Sequence, residues 1–459
     1  MGAAACSAQT MLNSTLQLDA SSGIHNMKNG TAAQDAVTYS QLVSVGTTTP
    51  PSYKVIVMNA SNGNYIAEFS TGAAIYTGTN ASRAIIYGLN NLTSGRNYKE
   101  RILLKGEFYC GQELNPLSYT IFDLSEGRIE ATANPGEGEH GLIRLNANVH
   151  DVDFVGGIFD NGAGVAHNLL SMTGTNYNVN LNGCSFIQDS TLAHGGINIY
   201  GQYVNIDQCN FTNIWIVNLF CAHGRVTKST FIDMYDSPIS MGCTVRSAIH
   251  DNYVGQCYME SPHANFAIDI TDGISNVTVR DTTIKCTGQK GIMIHSSAHS
   301  LAPENVTIDN VQIFNGVGAE VDSYGVAVSS YYPPAWSSGI LIENCLITGM
   351  GTGIGLWDAD NVDIIGNDIY DNTYAGIITN ALAKNSFRNR YIDNTIHTSV
   401  STLQNYGMVW SVSGAYRTTN SLLSGNFVYG HSTNILQYDA SHVTNCHSSG
   451  DNLDETTWF

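Results

Sequence analysis

The chain is short of charge. Only 12% of its 459 residues are Asp, Glu, Lys or Arg, about half the share found in ordinary globular proteins. Basic residues are scarcest: 19 Lys and Arg stand against 38 Asp and Glu, for a net charge of −19. That balance, spread along the chain, argues against a nucleic-acid partner and reads as solubility. No run of 18 apolar residues occurs, so no helix is apolar enough over enough length to cross a membrane, and no membrane insertion is expected. MGAAACSAQT lacks the basic and apolar regions of a signal peptide, so this end is expected to encode no secretion route. Three alanines precede Cys6, but without the apolar region that a lipoprotein signal requires. None of the ten cysteines has CxxC spacing, which removes the commonest metal and redox motifs. The polarity comes instead from Gly, with 45 residues, and from Asn, Thr and Ser. Uncharged polar side chains that face water or stack on one another are the material of repetitive β structure.

Between residues 149 and 447 one pattern recurs: an apolar residue, two mostly polar ones, a small or amide residue, any residue, then Phe, Ile or Val. Its copies read FVGGIF, LNGCSF, IDQCNF, VTKSTF, IHDNYV, VRDTTI, IDNVQI, IENCLI, IIGNDI, YIDNTI and LSGNFV. They end on Phe159, Phe186, Phe211, Phe231, Val254, Ile284, Ile313, Ile347, Ile369, Ile396 and Val428, a mean spacing of about 27 residues. A second column of alternating apolar residues, often led by Gly, lies between them: GGINI, FAIDI, GIMI, YGVAV, GIGL, AGIIT, YGMVW and NILQY. Period-two alternation broken by Gly, Asn and Asp marks strands. The repeat is too short for a helical crossover, so each coil stacks on the next. The expected fold is all-β, a right-handed parallel β-helix of about 11 coils or more.

The position two before each anchor tests that register. It reads Gly157, Cys184, Cys209, Ser229, Asn252, Thr282, Val311, Cys345, Asn367, Asn394 and Asn426. Cysteines and then asparagines gather in one row, as expected where equivalent side chains of successive coils lie above one another and pass amide hydrogen bonds along the column. Three cysteines in that row argue for small buried thiols over a disulfide framework or a metal site.

The ends of such a rod need covering. NASRAIIYGLNNL (80–92) places Ile85, Leu89 and Leu92 on one helical face, with Asn80 as N-cap. KERILLKGEFY (99–109) then reads as an entry strand. Capping helix, entry strand and coil repeats together resemble the pectin-lyase-like β-helix superfamily over about residues 80 to 447. That resemblance implies fold but not function, since the superfamily holds lyases, hydrolases, epimerases and adhesins.

The stretch IHNMKNGTAAQDAVTYSQL (24–42) is too polar to bury itself. It resembles a short element of tail fibres and tail spikes of tailed viruses, a polar strand and short helix found upstream of the distal domain. Asn29, Thr31, Ala32, Ala33, Gln34, Asp35, Ala36, Val37 and Thr38 fit its pattern, while Gly30 replaces the usual Pro and Tyr39 the usual Lys. The resemblance implies that Asn29, Thr31, Gln34, Asp35 and Val37 wind around two further copies in a homotrimer. It also implies that the N-terminus meets other tail or baseplate proteins. The plainer alternative is a disordered leader. YKVIVMNASNGNYIAEFS (53–70) reads as a hairpin with an Asn-Gly turn. The expected organisation is an attachment and trimerising segment at 1–50, a small β connector at 51–79, the cap and entry strand at 80–110, and the β-helix at 111–459. After DNLDETTWF no separate C-terminal trimerisation domain is expected, unlike many tail spikes.

For chemistry, the resemblance points to a lateral face that meets polysaccharide, with carboxylates, a Lys or Arg base, or calcium. FAIDITDG (266–273) beside GIMIHSSAH (291–299) sets Asp269 and Asp272 near His295 on consecutive coils. The paired aspartates, GHG and RIK of the pectin-hydrolase signature do not occur; ITDG is a faint echo of the first block. Trp357, Asp358 and Asp360 lie two coils on in GLWDADN, and SSYYPPAWSSG (329–339) offers Tyr331, Tyr332 and Trp336 for stacking on sugar rings. Ordinary turn and coil-edge chemistry is the alternative for the aspartates, and packing on the rod or a neighbouring subunit for the aromatics. DADN alone is a thin calcium ligand set, and neither cofactor nor metal is expected.

Three functions remain open: a virion tail spike or fibre that binds host surface glycan as a homotrimer, a depolymerase that cleaves that glycan as hydrolase or lyase, and a secreted cellular carbohydrate-active protein. The lack of a catalytic block favours binding, and the 24–42 element favours the virion tail, with the protein extracellular after release.

Overall fold

The computed structural model describes residues 53–453 apart from 61, 137–139, 190–194, 243–248, 262–264, 287–289, 297–300, 316–322, 331–335, 383, 400–403, 413–415, 438–442, 445–446 and 450–451. The expected trimerising residues Asn29, Thr31, Gln34, Asp35 and Val37, and the loop residues Tyr331 and Tyr332, lie outside the described residues.

Residues 53–459 form one compact unit. The chain starts with three antiparallel strands, Val55–Asn59, Tyr65–Phe69 and Ala74–Gly78. Gly63, at φ 79°, turns the first pair as the Asn-Gly signal requires. The first strand also pairs in parallel with the entry strand Glu100–Cys110. Helix α1 (Ala81–Asn90) follows, and the Asn80 side chain accepts from the Arg83 amide at 2.9 Å. Ile85, Leu89 and Leu92 are buried in the same core as the first coils, so the helix covers the apolar end.

From there the chain winds through three parallel faces. The first sheet includes His150–Val155, Tyr177–Asn182, His250–Gly255 and Ser275–Arg280, and ends at His447–Ser449. The second runs through Ile158–Asp160 and Ser185–Ile187 to Asn452–Leu453. The third runs from Ile143–Leu145 through Asn168–Met172 to Thr433–Gln437. In the second sheet one column pairs coil by coil, inward from Phe108 to Val428: Phe108, Ile129, Phe159, Phe186, Phe211, Phe231, Met259, Ile284, Ile313, Ile347, Ile369, Ile396 and Val428, with Leu453 in register above. Fourteen rungs at strand spacing make a rod of roughly 60 Å. Phe159, Phe186, Phe211 and Phe231 stack with centroids 4.7–5.3 Å apart and planes within 12°. Each such buried ring contributes about 2–3 kcal/mol.

One rung corrects the sequence reading. Val254 pairs with Val226 and Val279 in the first sheet, and the anchor of that coil is Met259, which a search for Phe, Ile or Val passes over. Its ladder residue is accordingly Cys257 and not Asn252. Asn252 is buried at a different corner, where its amide donates to the Cys221 carbonyl and accepts from the Gly224 amide.

The corner between the first and second sheets takes two residues. The first is left-handed, as at Gln208, Lys228, Gln256, Asp281, Asn310 and Asn344, with φ of 50–56°. That conformation costs a non-glycine residue about 1–2 kcal/mol. The second points inward and offsets the cost. Asn367 and Asn394 donate to the Ile342 and Ile364 carbonyls at 3.0 and 2.8 Å, and to the next amide oxygen, Asn394 or Asn426, at 2.9 Å in both cases. Cys209, Cys257 and Cys345 occupy the same position, with Sγ directed at the Leu181, Val226 and Ile308 carbonyls. All seven described cysteines are free and buried. Burial pushes the Cys257 thiol up to about 11 and Cys345 to about 12.

Entry to the third sheet explains the leading glycines. A Cβ on Gly353 would lie 2.4 Å from Ile369 and 2.6 Å from the Gly376 carbonyl; one on Gly376 would meet Ile396 at 2.3 Å. The chain turns here too close to the core for any side chain.

Candidate functional site

The outer face of the third sheet is where the expected residues converge. With Ile268, Ile270, Ile292 and Ile294 in the core, the alternating positions Asp269, Thr271, Met293 and His295 face outward. His295 pairs in register with Thr271 below and Ser329 above, while Asp269 lies between Ser240 and Met293. The diagonal between coils brings His295 Nε2 to 3.0 Å from Asp269 Oδ1, with side chains 17% and 16% exposed. The structure therefore joins Asp269 and His295.

Asp272 lies apart from that pair. It is buried in the left-handed region at φ 41°, at the corner after the strand, and its amide donates to the His295 carbonyl at 3.2 Å. Asp358 has the equivalent corner two coils beyond the His295 strand, at φ 52°, with its amide donating to the Asn380 carbonyl at 2.9 Å. Its Oδ1 also accepts from the amides of Leu382 and Lys384. Asp360 accepts from the Phe387 amide at 2.9 Å and from Lys384 Nζ at 2.6 Å. Both carboxylates hold the 382–387 loop. Lys384 Nζ stands 4.2 Å over the Trp336 ring, and burial holds its ammonium pKa below the usual lysine value against the opposing pull of Asp360. Trp336 is thereby tied to the same loop.

Trp357 belongs to the third-sheet face, two coils above His295 in the same outward row. Its ring lies across Gly355, where a Cβ would come within 2.3 Å of it. Tyr324 meets it edge to face at 4.7 Å. Above them Ala375, Ile378 and Val409 form a small apolar cluster outside the main core, flanked by Tyr374 and Tyr406. Below, Phe266 carries Lys290 Nζ 5.0 Å over its ring. On the strands of this sheet the hydroxyls Thr271 Oγ1, Ser329 Oγ and Thr352 Oγ1 are buried without a hydrogen-bond partner. Further down, Asn218, Asn198 and Asn168 pass amide hydrogen bonds at 2.6 and 2.8 Å along the same face. Reading the sequence did not pick out Tyr324 or the three hydroxyls. The signal for Tyr324 was present in the YGVAV and YGMVW copies, where the residue before the glycine faces outward.

Chemically, the face offers ring planes and one imidazole–carboxylate pair. Those two ligands fall short of the three or four that a metal centre needs.

Residues 275–451 match the family described as a right handed beta helix region. The coil is right-handed. No curated protein matches the chain in sequence. Among solved structures it is similar to the A-module of a mannuronan C-5 epimerase from Azotobacter vinelandii, at 14% identity and TM-score 0.56 over 81% of this chain and 94% of that one. It is also similar to the tailspike protein of the E. coli bacteriophage HK620, solved with a pentasaccharide, at 13% identity and TM-score 0.46 over 80% of this chain and 76% of that one. A family 28 exopolygalacturonase of Yersinia enterocolitica follows at 11% identity and TM-score 0.46, over 66% of this chain and 79% of that one. At such identities the likeness is one of fold.

Proposed function

We propose that this protein is a tail spike or tail fibre of a tailed virus, and that it adsorbs the virion to a host by binding cell-surface glycan along the outer face of its third sheet. The observation that carries the reading is the strip from Phe266 to Tyr406, in which the half-buried rings of Phe266, Tyr324, Trp357, Tyr374 and Tyr406 lie on the same face as the Asp269–His295 pair. Sugar ring faces stack on Trp357 and Tyr324, and the Asp269–His295 pair offers polar atoms to the sugar hydroxyls. The resemblance of residues 24–42 supports the viral setting and the homotrimer. A rigid solenoid suits a lateral site because its side chains are held by strands.

Binding is favoured over cleavage. Hydrolysis of a glycosidic bond by the common route uses two carboxyl groups flanking the bond. Among the described outward residues of this face from Asn168 to Ser411, Asp269 is the one carboxylate. The pairing of Asp269 with His295 keeps a cleaving reading alive as the second one, with the imidazole as the proton carrier.

Two measurements test the proposal. Light scattering on the full chain and on a version starting at Tyr53 is expected to give a trimer and a monomer. Co-sedimentation with host cell-surface polysaccharide is expected to show binding that Trp357→Ala weakens about tenfold. A monomeric full chain that leaves the polysaccharide in solution would overturn the reading. Release of new reducing ends by the parent, abolished in Asp269→Asn with binding retained, would decide for the depolymerase.

A further inference from the structure

A different place on the rod carries a cluster that the glycan reading does not use. At the corner between the third and first sheets, one residue per coil is left-handed: Asp151, Asn178, Tyr203, His223, Asp251, Asn276 and Asn305 all have φ between 53° and 56°. Because the column is in register, neighbouring side chains stand one above another. Asn276 donates to Asp251 Oδ1 at 2.9 Å, and Asn305 to Asn276 Oδ1 at 3.3 Å. At one level the column holds a different chemistry. His223 Nδ1 lies 3.5 Å from Asp251 Oδ2, and His250, the residue before Asp251, brings its own Nδ1 to 2.8 Å from the same oxygen. One ligand atom from each of His223, His250 and Asp251 falls within a span of 4.8 Å.

We infer that His223, His250 and Asp251 form a site for a borderline divalent transition-metal ion of the zinc type. Two atoms bound to one tetrahedral zinc stand roughly 3.4 Å apart, given bond lengths of about 2.0–2.2 Å. Small rotations of the two rings bring the three groups to that spacing. Two imidazoles with one carboxylate suit zinc, nickel or cobalt and not calcium or magnesium, which take oxygen ligands. The surroundings hold the ligands in place. Tyr203 stacks on the His223 ring at 4.6 Å and 9°, and Asn276 fixes the second oxygen of Asp251. His223 donates its own amide to the His250 carbonyl at 2.9 Å, so the two coils that supply the ligands are already bonded. The three side chains are 36%, 31% and 42% exposed, which leaves a fourth position open to water or to a ligand from outside the chain.

The test is calorimetric titration of zinc ion alone into the full chain at pH 7.5, with magnesium and calcium as comparison ions. One ion per chain is expected for zinc and none for the other two. His223→Asn and His250→Gln should each weaken binding at least tenfold. Both replacements suit the fold, since Asn178 and Asn276 already occupy the position of His223, and Gln202 that of His250 in the coil pairing. Melting in the presence of a chelator is expected to be the same for parent and variants, while zinc raises the transition in the parent alone. Cobalt substitution should give the visible absorption of a site with nitrogen and oxygen ligands. Failure of the parent to take up one equivalent, or equal uptake by the His223→Asn/His250→Gln double variant, would overturn the assignment.

Discussion

The corner between the first and second sheets and the outer face of the third sheet are built by the same winding chain under different rules. At the corner each coil spends two residues, one left-handed and one inward, and the inward one is Cys, Ser, Thr, Val or Asn from Cys184 to Asn426. On the third-sheet face seven successive coils show Asn218, Ser240, Asp269, Met293, Ala327, Gly355 and Ile378 in a single row. Every inward corner residue of that row except Val311 donates to a backbone carbonyl in a dry space, so the chemistry of the corner repeats. The face carries side-chain hydrogen bonds between coils only in places, as at Asn168–Asn198–Asn218 and Asp269–His295, so its other residues are free to vary. Repetition marks what holds the rod together, and departure from repetition marks where it meets something else.

Several substitutions would break or sharpen that contrast. The largest loss belongs to the interior: Phe211→Ala removes a ring stacked on both neighbours and should cost about 3–5 kcal/mol in denaturant unfolding. Asn394→Ala comes next, at about 3 kcal/mol, because it removes from the core the acceptor of the Asn367 backbone N–H, one of the two acceptors of the Asn367 side-chain amide, and the donor to the Ile364 carbonyl. If Asn394→Ala were as mild as a surface change, the ladder would have no special standing. Trp357→Ala should weaken glycan binding about tenfold and leave the melting temperature nearly unchanged, the reverse of the interior pattern. Asn218→Ala on the same face loses one half-buried amide contact to Asn198 and should cost less than about 1 kcal/mol.

The smallest effect is a pH dependence. Burial of the His431 imidazole holds its pKa below the ordinary histidine value, outweighing the Ile396 and Gln404 carbonyls that favour its charged form. Above pH 6.5 the folded and unfolded states both carry it neutral. As pH falls below about 6.5 the unfolded chain takes up the proton first, so stability is lost towards acid. Melting curves between pH 7 and 5 should show the decline, and His431→Gln should flatten it.

Much of the fold was legible because the solenoid forces its own chemistry into register. The Phe and Ile anchors, the Asn and Cys row, the Asn80 cap and the helix face of Ile85, Leu89 and Leu92 were all readable from spacing. The one misplaced rung came from a substitution that conserves volume: Met259 fills the anchor position as well as Ile does, but carries no β signature. The site was less legible. Asp269 and His295 could be paired because consecutive coils were aligned correctly. Asp272 and Asp358 could not be separated from them by sequence, since a corner residue and a face residue differ only by parity and by a left-handed φ. Tyr324 and the hydroxyls of Thr271, Ser329 and Thr352 gain their meaning from neighbours 20 to 35 residues away on the next coil, which no local pattern reveals.

The two-residue corner also governs how such a molecule can change size. It holds no slack: an extra residue there would push the inward side chain of that coil out of the row and break the hydrogen bonds it makes to its neighbours. Additions that keep the column intact must therefore come as a whole turn, or as loops at the other corners. The rod is in that sense a ruler graduated in steps of about 4.8 Å. Duplicating or deleting a turn would move its tip by one graduation while leaving every remaining face as it was, so the reach of the protein and the surface it presents can evolve separately.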